Sequence, residues 1–65
     1  MPRAKNRSQR AIDHCLSVAR RHEAMAEAAR AKGDASADRY ESGQADQARR
    51  LAGYLAGLLT RQAAP

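Results

Sequence analysis

Apolar residues recur along this chain at steps of three and four. Ile12, Cys15, Leu16, Ala19, His22, Ala26 and Ala29 fall on one stripe, and Ala37, Tyr40, Gln44, Ala48, Leu51, Leu55 and Leu58 fall on a second. Such spacing places side chains on one face of an α-helix, not on alternate faces of a strand. One break separates the stripes, at Lys32-Gly33-Asp34. Gly33 suits the left-handed position that ends a helix, and Lys32 puts a cation in the last turn, where the dipole favours it. Asp34 or Ser36 can cap the next helix, with Asp38 in its first turn. Asn6 and Gln9 form a capping-box-like pair at the other end. The pattern predicts helix 1 from about residue 7 to 32, a turn at 33–34, helix 2 from about 35 to 62, and a basic N-terminal arm over 1–8. Ser42-Gly43 is the weak spot of helix 2, because a mid-helix glycine costs about 1 kcal/mol relative to alanine. A continuous helix is expected there, with a kink, a close helix approach or a second break as the alternatives.

Folding the chain back at Gly33 makes facing residue numbers sum to about 67. That register sets Leu16 against Leu51, Ile12 against Leu55, Ala19 against Ala48, and Ala26 near Tyr40 and Glu41. Large meets large and small meets small. The expected architecture is all-α, an antiparallel two-helix hairpin. Its core is alanine near the turn and leucine and isoleucine at the open end. Tyr54 and Leu59 lie beside the main stripe of helix 2, and widen its apolar arc beyond what one neighbouring helix covers.

Composition supports helix and raises the question of stability. Of 65 residues, sixteen are alanine, Phe and Trp are absent, and Pro stands only at positions 2 and 65. Helices favour that composition and strands do not. A chain of this length buries only about 60% of its unfolded surface. Small folds add disulfides, metals or oligomerisation, and Cys15 is the one cysteine. The remedy expected is therefore a second hairpin, giving a homodimeric four-helix bundle. Ile12, Leu16, Leu51, Tyr54, Leu55, Leu58 and Leu59 are the candidate contacts, either with that copy or with another protein. Lone cysteine usage and the absence of a leader-like or membrane-length apolar run lead us to expect a cytoplasmic protein with no membrane span.

Charge adds a second surface. The formal net charge is +5, and ten of the twelve basic residues are arginine. Arg3, Arg7, Arg10, His14, Ser17, Arg21 and Lys32 fall within about 80° of arc on helix 1, at 100° per residue. Asp13, Glu23 and Glu27 lie outside that arc. Arginines at a helix N-terminus oppose the dipole, so they do not serve the helix itself. Arg3, Arg7, Arg10, His14, Arg21 and Lys32 are therefore candidate contacts to RNA, DNA or another polyanion, tracked by its phosphates. The plain alternative is a solvated basic face. Tyr40 and Tyr54 are expected in the core or an interface, which leaves no aromatic group beside the stripe for base stacking. With one turn between two long helices, no short recognition helix for groove reading is expected.

In length and two-helix plan the chain resembles the Rop-type plasmid RNA-binding hairpins. That resemblance lies in the plan and implies dimerisation into a four-helix bundle that grips RNA loops with one face. Other chemistry is weakly signalled. Cys15 and His22 share a face but supply only two of the three or four ligands a zinc site needs, so no metal and no cofactor are expected. Glu23 and Glu27 read as a solvated pair. Ser17, Ser36 and Ser42 have no base to activate them, and no catalytic residue is expected. The function expected from sequence is a small non-enzymatic basic hairpin that binds a polyanion through helix 1. The alternative is an interaction hairpin of adaptor, antitoxin or inhibitor type, docking through its leucine-rich C-terminal half.

Overall fold

The computed structural model describes residues 6–63. Two helices, α1 (Arg7–Ala31) and α2 (Ala35–Ala63), pack against each other as an antiparallel hairpin. The extents are 50 × 25 × 11 Å, so the molecule is a plate one helix thick.

Local chemistry sets each boundary. The Asn6 side chain accepts a hydrogen bond from the Gln9 backbone N–H at 2.7 Å, satisfying one of the unpartnered donors of the first turn. The Gln9 side-chain amide turns forward along the helix and donates to Asp13 at 3.2 Å. Helix α1 ends at Gly33, whose φ of +77° lies in the left-handed region. The Gly33 N–H donates to the Arg30 carbonyl at 3.1 Å and the Asp34 N–H to the Ala29 carbonyl at 2.9 Å. This is the Schellman arrangement, which absorbs two carbonyls that the helix cannot satisfy. Asp34 then caps α2, accepting from the Ala37 N–H at 3.1 Å. Helix α2 runs through Ser42-Gly43 without a break, and a Cβ added at Gly43 would meet nothing within 4 Å.

The core is narrow. Ile12, Cys15, Ala19, Ala26, Ala29, Ala45 and Ala52 are buried, and among the described residues the one buried charged residue is Glu41. At the open end Ile12, Cys15 and Ala52 cluster, with Leu55 and Leu59 packed on them. The stripe of α1 follows the sequence reading except at Leu16, which is 39% exposed. On α2 the buried line is Glu41, Ala45 and Ala52, while Tyr40 and Leu51 are 63% and 50% exposed. The helix is turned by about one residue, roughly 100°, from the phase expected. Leu16 therefore does not meet Leu51 inside. The physical reason is size: the seam between adjacent helices takes the small side chains, and the bulky ones flank it, where they have room.

Candidate polyanion-binding and pairing surface

The two broad sides of the plate differ in chemistry. One is stitched by ions. Arg30 reaches Asp38 with two hydrogen bonds of 3.0 Å, from Nε and from an Nη. Those bonds hold the Asp38 carboxyl below its ordinary range, and the same contact raises the Arg30 guanidinium. Arg49 pairs with Glu23 across the seam. Asp46 holds Arg50 at 3.4 Å and lies 3.8 Å from Arg49. Between the helices, His22 Nδ1 is hydrogen-bonded to Glu41 Oε2 at 2.8 Å. That contact partners the buried carboxylate, and among the described residues no buried side-chain nitrogen or oxygen lacks a hydrogen-bond partner.

The opposite side carries a line of exposed cations. A shallow groove there is lined by Met25, Ala28 and Ala29 of α1, by Lys32 and Asp34 of the turn, and by Ala37 and Glu41 of α2. Helical geometry extends this side along the molecule. Arg7 precedes Met25, and His14 precedes Lys32, by eighteen residues, which is about five full turns at 3.6 residues per turn. All four therefore point the same way. On α2, Leu55 follows Ala37, and Leu58 follows Tyr40, by the same interval, with Leu51 and Tyr54 one turn earlier. The cation line of α1 thus runs beside an apolar line of α2, about 8–10 Å away at ordinary helix spacing.

Arg7, Arg10, His14, Arg21 and Lys32 are all exposed. Among the described residues, Arg7, Arg10, Arg21 and Lys32 form no ion pair. Arg3 and most of the 1–8 arm lie outside the described residues. Of the apolar candidates, Leu16, Leu51 and Tyr54 are exposed. Leu55, Leu58 and Leu59 are half-buried, and Ile12 is buried within the hairpin and offers no surface. Tyr40 and Tyr54, expected in the core or an interface, are 63% and 61% exposed on the single hairpin, so aromatic groups do border the stripe.

Sequence reasoning missed three contacts: His22–Glu41, Glu23–Arg49 and Arg30–Asp38. The sum rule of about 67 would have brought Arg30 near Asp38, but side-chain reach of several residues hides the other two. His22 bonds Glu41, and among the described residues no group of three or more His, Cys, Asp or Glu is placed to hold an ion. Nor, among them, is any helix long and apolar enough to cross a membrane. Comparison with family models, curated proteins and solved structures finds no match.

Proposed function

We propose that this is a non-enzymatic cytoplasmic hairpin that binds nucleic acid or another polyanion through the cation line of α1. One contrast carries the reading. Among the described residues Arg30, Arg49 and Arg50 each have a carboxylate partner, whereas Arg7, Arg10, Arg21 and Lys32 form no ion pair and lie exposed in one line; Arg20, Arg39 and Arg61 are also exposed without an ion pair but do not fall on that line. Unpaired guanidinium groups in a row suit a repeating phosphate backbone, where each contact releases a condensed counterion. Recognition of this kind reads backbone and shape and not base edges. The exposed tyrosines remove the objection that no stacking group borders the stripe.

The test is salt-resolved binding of labelled RNA and DNA to the chain and to a variant carrying Arg7→Gln, Arg10→Gln and Arg21→Gln. Each lost phosphate contact lowers the slope of log affinity against log salt by about one, so the triple variant loses about three. An unchanged slope rejects the reading.

The apolar line of α2 supports a second part of the proposal, that two hairpins pair into an antiparallel four-helix bundle. Leu51 and Tyr54 are 50% and 61% exposed, on a plate one helix thick. Capture of a different protein by the same residues is the competing reading. Leu51→Ser with Leu58→Ser separates them: loss of self-association supports pairing, and an unaltered monomer that stops binding a partner supports the other.

A further inference from the structure

The surface described above is split lengthwise, and the split restricts how a second copy can use it. The chain exposes 5255 Å², whereas a compact monomer of 7.1 kDa exposes about 4,100 Å². Two copies together carry an excess of roughly 2,300 Å², which lies in the range of a homodimer interface. Size thus fits a second copy. Its orientation follows from charge. If α1 of one copy lay over α2 of the other, Arg7 and Lys32 would be pressed onto Tyr40, Leu51 and Leu58. Burying unpaired cations against leucine is strongly unfavourable. If like lies on like, α2 packs on α2 through its apolar line, and the cation lines of the two α1 helices face each other across a cleft. In that arrangement the apolar half favours association and the cationic half opposes it.

Resting on the polyanion reading, we infer that anion binding and pairing are thermodynamically linked: a polyanion seated between the two α1 helices drives two copies of this chain together. The attraction comes from Leu51, Tyr54 and Leu58. The opposition comes from Arg7 and Lys32 of each copy, with Arg10 and Arg21 at the cleft mouth. A phosphate chain neutralises both cation lines at once, so it binds the pair more tightly than the single hairpin. By reciprocity, the factor by which the anion tightens pairing equals the factor by which pairing tightens anion binding. Simple salt does part of the same work by screening, so pairing without any polyanion strengthens as sodium chloride rises.

Sedimentation equilibrium on the full chain, across a sodium chloride series and with a short single-stranded oligonucleotide or inorganic polyphosphate, tests this. At low salt the expected result is a mostly monomeric protein. Pairing tightens roughly tenfold as salt rises about tenfold, and tightens again on adding either anion at low salt. Arg7→Gln with Lys32→Gln pairs more tightly than the parent at low salt and loses most of the salt response. General salting-out would not remove that response. Leu51→Ser with Leu58→Ser stays monomeric throughout and binds the anions less tightly, by the linkage factor. A response to the oligonucleotide alone assigns the cleft to nucleic acid, and a response to both assigns it to phosphate chains in general. Pairing that weakens with salt overturns the inference, as does pairing indifferent to bound anion. Anion binding without linkage overturns this inference and leaves the polyanion reading standing. No binding of either anion rejects that reading itself.

Discussion

The turn half and the open half of the hairpin are held by different forces. Near the turn the seam is alanine: Ala26, Ala29 and Ala45 are buried there and contribute little apolar area. What joins the helices is polar. The Schellman turn, the Asp34 cap, Arg30–Asp38, His22–Glu41 and Glu23–Arg49 all lie in this half. At the open end Ile12, Cys15, Ala52, Leu55 and Leu59 make the apolar cluster. Among the described residues, the ion pairs and hydrogen bonds there stay within one helix, such as Thr60 to the Ala56 carbonyl at 3.0 Å. Directional bonds fix register and angle, and apolar contact supplies most of the burial energy without fixing either. The two halves divide specificity from adhesion.

That division can be broken from either end. The largest effect is expected in the adhesive half. Ile12→Ala removes the main apolar side chain of the α1 contribution and costs about 2–4 kcal/mol, read as a fall in the urea midpoint. In the polar half, His22→Ala leaves the buried Glu41 carboxylate without its partner. A loss of about 1–3 kcal/mol is expected, most of it recovered when both are replaced together by leucine. If the double replacement is as unstable as the single, the pair is not what matters there.

Two glycines give effects of opposite sign. Gly33→Ala forces a side chain into φ +77° and costs about 1–2 kcal/mol. Gly43→Ala meets open space in a continuous helix and adds up to about 1 kcal/mol, with a higher midpoint in thermal melts. The smallest effect is at Asp38. Its carboxyl is held below the ordinary range by the Arg30 hydrogen bond. The contribution is therefore present at neutral pH and lost as pH falls through the depressed folded value. The pair is exposed, so the gap in melting temperature between the parent and Asp38→Asn is small at about pH 7. It closes in acid and narrows in salt.

The hairpin, the Gly33 turn, the Asn6 and Asp34 caps, and the facing of Ile12 with Leu55 were legible in the sequence. Each depends on local chemistry or on counting residues back from one glycine. The rotation of α2 was not legible. Its apolar residues spread over a wide arc, and weighing leucine and tyrosine above alanine turns the wrong part inward. Close helices reverse that weighting, because the seam between them admits Ala45 and Ala52 and displaces Leu51 and Tyr40. Glu41 was hidden for a related reason. An acid at a core position looks like an error until the histidine nineteen residues earlier is seen to reach it. The unmatched cations of α1 were visible as an arc without acids. That they share a side with the exposed tyrosines depends on the rotation, and became apparent only with it.

Cys15 gives the open half a built-in chemical clock. It is the sole thiol of the chain and lies buried between Ile12 and Ala52. A thiol reagent reaches it only when the helix ends part, because the reactive thiolate needs solvent. Its rate of alkylation therefore reports how often the hairpin unzips from its ends while the stitched turn stays closed.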